Sequence, residues 1–334
     1  MPVLLGILIV TAIIFNIGYI YAIYGNIFLK NSPKHTFNHA KWMSKLNAKT
    51  QLKDIVFPGS HDSLIFDPIK FKHKYEDMDQ SAKTFQTVSF VPGINYKVNR
   101  WTQTQNSTIL DQLRSGIRAF DFRVAEKDNV CYGFHTFLGP PLKPSLEDIK
   151  IFLEQNPKEV ILLTIRTKAD SCKQRVYDEL DDKIWYYNPS DNLKTLTLED
   201  LWERNKNIII SDWDTSRIIV SDWLNSYDEE EKTDYIESHL KKQHKKDHED
   251  NNIFYNLEWT LTPQTTQVLF NYDSLLYKSY KFNEKLPLFL ENLSEKLKSQ
   301  INIISIDNSA SFDLYKLIEQ TFLSRRRLSG GAKD

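Results

Sequence analysis

The stretch LKDIVFPGSHDSLIF, Leu52 to Phe66, decides how the chain is read. A short apolar run, Ile55-Val56-Phe57, breaks at Pro58-Gly59, and His61 and Asp62 follow at once. Pro-Gly punctuates a turn. A histidine and a carboxylate just beyond a strand belong on the rim of a (β/α) barrel, where the C-terminal ends of the strands collect the chemistry. His61 is the residue for which the rest of the chain must supply partners.

Beyond Leu52, strand-like and helix-like runs alternate. TILDQLRSG, Thr108 to Gly116, puts Ile109, Leu110 and Leu113 on one helical face and stops in glycine. IRAFDFRV, Ile117 to Val124, alternates at period two, and VCYGFH, Val130 to His135, is another short strand. SLEDIKIFLEQNP is the clearest helix, with Ser145 as cap, Asp148 at the third helical position and Pro157 as stop. VILLTIRT, Val160 to Thr167, reads as a strand buried on both faces, as in a parallel sheet. NIIISDWD (Asn207 to Asp214), NLEWTLTP (Asn256 to Pro263) and INIISIDN (Ile301 to Asn308) add further strands. The last lies between an amphipathic helix, Leu286 to Ser299, and a final helix, Phe312 to Ser324. This order predicts an α/β chain folded as a (β/α) barrel. An open doubly wound sheet is disfavoured because no G-x-G-x-x-G follows a strand.

Composition narrows the function. Hydrophobic residues make up 41% and charged residues 26% of 334, with a net charge of −1, so nothing points to nucleic acid. Cys131 and Cys172 are the only cysteines, which excludes a disulfide framework and a cysteine-rich zinc site and leaves open whether the two pair. Aromatic content of 13% suits a membrane-facing or sugar-binding surface and equally an ordinary core.

Met1 to Leu29 carries no charged side chain, with Tyr19, Tyr21 and Tyr24 toward its end. Such a run spans a bilayer with an aromatic belt at one interface. The expected organisation is a transmembrane anchor over 1–29, a linker over 30–51 with a short helix around Trp42 to Leu46, a barrel over 52–325 and a frayed tail over 326–334. A cleaved secretory signal is the competing reading, weakened by the lack of a basic start and of a small-x-small cleavage site. Lys30, Lys34 and Lys41 favour a cytosolic barrel, whereas the sequons Asn106-Ser107-Thr108 and Asn292-Leu293-Ser294 point the other way. The side stays open. Asp67 to Asn99 reads as a long irregular insertion, and Asp228 to Asn252 as a solvated helix or loop at the periphery.

The polar residues at the strand ends are His61 and Asp62, Arg123, His135, Arg166 and Asp307. Each alone has an ordinary use: Ser60-His61-Asp62 can cap a turn, and Arg123 can pair with Asp121 or Glu126. Gathered on one rim they suit phosphodiester cleavage by an internal hydroxyl. One imidazole, oriented by a carboxylate, takes the proton of the attacking hydroxyl, and the other protonates the leaving alkoxide. A guanidinium matches the phosphate oxygens with paired donors.

PGSHDS (Pro58 to Ser63), TQNSTILDQLRSGIRAFDFRV (Thr104 to Val124) and the run from His135 through SLEDIKIFLEQNPKEVILLTIR to Arg166 resemble the catalytic X domain of phosphatidylinositol-specific phospholipases C. The likeness is to the bacterial enzymes and the eukaryotic X-domain-only proteins, and it covers about Leu52 to Thr167 before thinning. It implies a distorted TIM (β/α)8 barrel that cleaves phosphatidylinositol through its inositol 2-hydroxyl, giving diacylglycerol and a cyclic inositol phosphate. His61 would be the general base oriented by Asp307, and His135 the general acid supported by Asp62. Arg123 would hold the phosphate, with Arg166 near the inositol. Calcium-dependent eukaryotic members carry asparagine after the histidine and an acidic pair, E-L-D, on the second strand. Here Asp62 and Asp121-Phe122-Arg123 stand there, so the expectation is no metal and no other cofactor. The implied partners are a phospholipid and a membrane, with no obligate protein partner. Two departures bear on headgroup specificity: Thr136 follows His135 where the family has glycine, and Asp212-Trp213 stands where the bacterial enzymes have a basic residue. A catalytically silent lipid- or headgroup-binding protein, and a phosphodiesterase for glycerophosphodiesters or sphingolipids, are the alternatives. Members of the second class bind a metal through acidic clusters.

Overall fold

The computed structural model describes residues 32–67, 94–135, 137–187, 192–221, 223–243, 253–271 and 273–323. Its strands are β1 Phe57–Ser60, β2 Ala119–Lys127, β3 Val130–His135, β4 Phe137–Pro141, β5 Ile161–Thr167, β6 Ile208–Asp212, β7 Ile219–Ser221, β8 Phe254–Trp259 and β9 Ile303–Ile306. Seven of them run parallel in the order β6-β5-β2-β1-β9-β8-β7. Chain order is thus kept around the barrel, as right-handed crossovers through helices dictate. β3 and β4 form an antiparallel appendage on β2. The barrel is therefore a distorted one, with seven parallel strands among the described residues instead of the eight expected. Between β6 and β7 no ladder is made there, and the Ser211 hydroxyl accepts from Ile218 N and Ile219 N, both at 3.1 Å.

Packing follows the alternation of the strands. Ile161, Leu163 and Ile165 of β5 face Leu146, Ile149 and Phe152 of the helix Leu142–Gln155. Leu162 instead meets Phe57, Ile209, Phe254 and Ile303 from other strands, in the barrel interior. Trp42 and Met43 of the linker join this interior cluster. They plug it at the end where the strands begin. There Arg118 is fully buried, pairs with Glu159 (Nη2 to Oε2, 2.8 Å) and also donates to Ala40 O (2.8 Å). A buried guanidinium needs both its counter-charge and its acceptors, and the linker supplies part of the second.

Several sequence boundaries shift for local reasons. β1 is Phe57–Ser60, so Pro58-Gly59 lies inside the strand and does not end it. A Cβ on Gly59 would fall 2.5 Å from Ser305 Oγ of β9, so glycine is what lets the two strands approach. The clearest helix begins at Leu142, after Pro140-Pro141, and Ser145 is buried within it instead of capping it. Pro144 fits its first turn, where no N–H is needed. The span Leu286 to Ser299 splits into Leu286–Asn292 and Glu295–Lys298, because Ser294 caps a new helix by accepting from Leu297 N. The last helix is Leu314–Ile318, continued by one wider turn over Glu319–Leu323. The linker helix is a single turn, Met43–Lys45.

The described part of the Asp228 to Asn252 stretch is not peripheral: Glu229–Gln243 is a helix that buries Lys232, Ile236 and Leu240, and residues 244–252 lie outside the described residues. Of the Asp67 to Asn99 insertion, only Asp67 and the start of the helix Ile94–Thr102 are among the described residues. Phe71, Phe85 and Phe90 lie outside them, as do the Met1 to Leu29 run and the tail 326–334. Among the described residues no helix is long and apolar enough to cross a membrane.

Cys131 of β3 and Cys172 of the helix Asp170–Leu180 form a disulfide across 41 residues. Closing a loop of that length restrains the unfolded chain by about 4 kcal/mol in the chain-entropy account. Replacing both cysteines by alanine is expected to lower the thermal midpoint by several degrees, read by circular dichroism against the oxidised parent. An unchanged midpoint would mean that the bridge does not form in solution.

Candidate active site

The C-terminal end of β1 is pinned before it is functional. His61 N donates to Ile306 O of β9 (3.1 Å), and Ser63 N to Asp121 O of β2 (3.0 Å). Between them Asp62 takes a left-handed backbone, φ 41°, a conformation aspartate tolerates better than most side chains. Gln105 Nε2 donates to His61 O (2.9 Å) and Ile306 O (3.1 Å), and Thr104 Oγ1 donates to Asp62 O (2.9 Å). The Ser63 hydroxyl accepts from Asp121 N (2.9 Å). Backbone torsion and a glutamine clamp thus aim two adjacent side chains, His61 and Asp62, toward the barrel axis.

Their partners arrive from the other strands. Asp307, one residue beyond β9, accepts at Oδ1 from His61 Nδ1 at 2.9 Å. Asn283 Nδ2 donates to the Asp307 carbonyl at 2.9 Å and so fixes that turn. Asp62 lies between three groups: its Oδ1 is 2.5 Å from Arg123 Nε, and its Oδ2 is 3.4 Å from His61 Nε2 and 3.5 Å from His135 Nε2. None of these contacts has hydrogen-bond angles, so charge alone balances this buried carboxylate. Arg123 also reaches Asp121 Oδ2 at 3.2 Å, and Arg166 Nε lies 3.4 Å from Asp121 Oδ1. The rings of His61 and His135 are 6.4 Å apart. His61, Arg123, His135, Arg166 and Asp307 line one cavity of about 320 Å³, with Asp62 buried behind it. All six residues singled out from the strand ends meet here.

Three groups have roles that went unread in the sequence. Glu258 of β8 is buried in the cavity wall, with Oε1 3.5 Å from His61 Nε2. It is the one carboxylate in NLEW, and a charge inside an apolar strand run is the signal that could have found it. Asp121, read in the sequence as a partner for Arg123 and in the calcium comparison, has one unread role: it also lies against Arg166. Lys232 is 1% exposed, donates to Leu224 O at 2.8 Å, and faces the charges of Glu258 and Asp307. At the mouth, Trp213 and Trp223 complete the wall. Asp212, by contrast, points away to Lys173 (3.0 Å).

Electrostatics set the state of His61. Burial opposes its charge, but Asp62, Asp307 and Glu258 together outweigh burial and push its pKa up to about 9. Arg123 Nη2, which can only donate, stands 2.9 Å from His61 Nε2. That contact is the one a neutral imidazole makes, protonated on Nδ1 toward Asp307 and accepting from Arg123 with its lone pair at Nε2. The geometry is that of a base ready to act, while the carboxylates favour the imidazolium. The base form therefore gains population as pH approaches 9. Burial pushes the Asp307 carboxyl up. Desolvation works the same way on the half-buried Asp121, but Arg166 and Arg123 hold it well below the ordinary carboxylate range.

His61, Asp62 and Asp121 offer three potential metal ligands within 4.8 Å of one another. Arg123 stands among them, paired with both aspartates, and a divalent cation there would meet its guanidinium directly. The donor set does not fit a resident metal.

No family profile matches the chain. Over 186 residues it is 30% identical to human PI-PLC X domain-containing protein 2, covering 52% of this chain and 59% of that protein. Over 180 residues it is 28% identical to a 1-phosphatidylinositol phosphodiesterase of Staphylococcus aureus, covering 52% of this chain and 47% of that one. The chain thus spans little more than half the length of the first of these relatives. Among solved structures, the phosphatidylinositol-specific phospholipase C from Listeria monocytogenes superposes with a TM-score of 0.59 at 22% identity, over 84% of this chain and 97% of that one. The seven-stranded barrel is that fold. In sequence the chain is similar to the PI-PLC X domain-containing proteins and to the bacterial phosphatidylinositol phosphodiesterases.

Proposed function

We propose that the chain is a phosphodiesterase that cleaves a phosphatidylinositol-type phospholipid to diacylglycerol and a cyclic inositol phosphate, without a metal. One observation carries the reading: His61 is held by Asp307 on one nitrogen and presents the other, beside Arg123, to a cavity that His135 also lines. The names of the relatives supply the substrate class.

An incoming phosphodiester offers Arg123 an acceptor in place of His61, which frees Nε2 for the attacking inositol hydroxyl. His61 takes that proton, and Asp307 stabilises the imidazolium that results. Nucleophile and phosphorus belong to one molecule, so the attack is intramolecular and fixed in geometry. His135, whose Nε2 faces Asp62, donates a proton to the departing diacylglycerol oxygen. Arg166 and Trp213, whose indole lies 3.7 Å from the Arg166 guanidinium carbon, form a wall for the inositol ring. The positive charge that calcium brings in other members comes here from Arg123.

The membrane part of the proposal rests on the uncharged run Met1 to Leu29, read as a single-pass anchor. On the side of the membrane, the Cys131–Cys172 bridge favours an oxidising compartment for the barrel and outweighs the bias of three lysines.

Incubation with phosphatidylinositol in excess chelator is expected to yield cyclic inositol phosphate. His61→Ala and His135→Ala should each lower turnover by about 10²–10⁴, the worth of one acid–base group. Turnover unchanged in both variants would sink the mechanism, and turnover that requires added calcium would sink the metal-free part. Headgroup binding without turnover would make the chain a silent binder.

The pH profile gives a second check. A base acts unprotonated, so in His135→Ala, where no second imidazole has to stay protonated, the residual kcat/KM is expected to climb with pH until His61 titrates, near 9 instead of the ordinary 6.5. Glu258→Gln removes a charge that favours the imidazolium and should move the rising limb to lower pH. In the His135→Ala background a limb already at its plateau by pH 7.5 would contradict the assignment.

A further inference from the structure

The linker shows where the chain meets the barrel. Ser32 lines a depression of about 290 Å³ together with Gln103, Ser274 and Leu276. Gln103, Ser274 and Leu276 are each one residue from Thr104 or Leu275, which line the catalytic cavity. From there the linker descends. His35 N donates to Ala310 O just past β9 (2.8 Å), and His39 N to Arg114 O at the end of the helix Ile109–Arg114 (2.8 Å). His39 also pairs with Asp313 (3.0 Å). Trp42 Nε1 reaches Gly116 O (3.0 Å), before the first residue of β2, and Met43 N and Ser44 N take the Glu159 carboxylate (3.3 and 3.1 Å). The segment 32–44 is therefore a strap laid along the whole height of the barrel, and its N-terminal end is at the catalytic mouth.

On the reading of Met1 to Leu29 as an anchor, we infer that the strap holds the barrel mouth-down, with the rim around Trp223 and Thr265 facing the bilayer in which the chain is anchored. Leu29 is three residues from Ser32, so the chain between bilayer and barrel reaches roughly 10 Å at most. A tether that short brings the end of the barrel that carries it to the lipid surface. Trp223, half exposed on the cavity wall, and Pro263 give that rim apolar contact. Had the linker met the barrel at the Trp42 end, the same anchor would turn the cavity away from the membrane. The partner surface is thus a lipid bilayer in cis, and the enzyme's substrate would come from its own membrane.

The test needs no turnover. The full chain in phosphatidylcholine vesicles, carrying His61→Ala, is labelled with a fluorophore at Thr265→Cys on the mouth or at Glu203→Cys at the opposite end. Both positions are exposed, and the native cysteines are bridged. Lipids with a nitroxide headgroup are expected to quench the Thr265 label several-fold more than the Glu203 label. A flexible 20-residue Gly-Ser spacer inserted after Leu29 should abolish that difference. Equal quenching, stronger quenching at Glu203 or no quenching of either label on vesicle-bound protein would overturn the orientation. Failure of the chain to float with the vesicles would overturn the anchor on which it rests. Neither outcome touches the chemistry assigned to His61.

Discussion

Four carboxylates, the buried Asp62, Glu258 and Asp307 and the half-buried Asp121, gather within one end of this barrel, and their charge has to be answered there. Unpaired ions in such a place are expensive. Arg123, Arg166 and Lys232 answer three of them, and the fourth is answered when His61 carries a proton. This balance explains why an imidazole that is 9% exposed keeps its charge well above the usual range. It also explains why the site wants an anion: a phosphodiester brings negative charge to a cluster of cations already arranged to receive it.

The balance depends on the fold in specific ways. Parallel strands send Asp62, Asp121, Glu258 and Asp307 to the same rim although they come from β1, β2, β8 and β9. The left-handed backbone of Asp62, braced by Thr104 and Gln105, lets two consecutive residues just past β1 serve the site where regular pleating would point one of them away. At the opposite end the Arg118–Glu159 pair performs a structural version of the same neutralisation, and the linker completes it. One end of the barrel is closed by a charge pair and Trp42. The other is left open around a charge cluster that lacks only its substrate.

Much of the site was legible because catalytic groups at strand ends interrupt apolar runs. His61, Asp62, Arg123, His135, Arg166 and Asp307 all stand out in that way, and the barrel order collects them. Glu258 stood out less, because one acid in a six-residue apolar strand also looks like the exposed residue of a half-buried pattern; the burial of both its neighbours decides between the two. Lys232 lay in a run so charged that it read as solvated, and just one of its helical faces turns inward. The Cys131–Cys172 pair joins a strand of the appendage to a helix, a proximity that no local pattern encodes. β4 and β7 were missed because FLGPP carries the prolines of a turn and IVS is three residues long. In each case long-range packing overrode a local signal.

The central claim is that His61 is the base: Asp307 keeps its Nδ1 proton, and Nε2, beside Arg123, is freed of its proton as pH approaches 9 because the surrounding carboxylates favour the charged ring. Nitrogen-15 NMR of histidine-labelled protein, titrated from pH 6 to 10, tests this directly. The account predicts a His61 ring that stays doubly protonated through pH 7, titrates near 9, and loses the Nε2 proton while Nδ1 keeps its own toward Asp307. A His61 ring that titrates near the ordinary 6.5, or that loses the Nδ1 proton first, would contradict it.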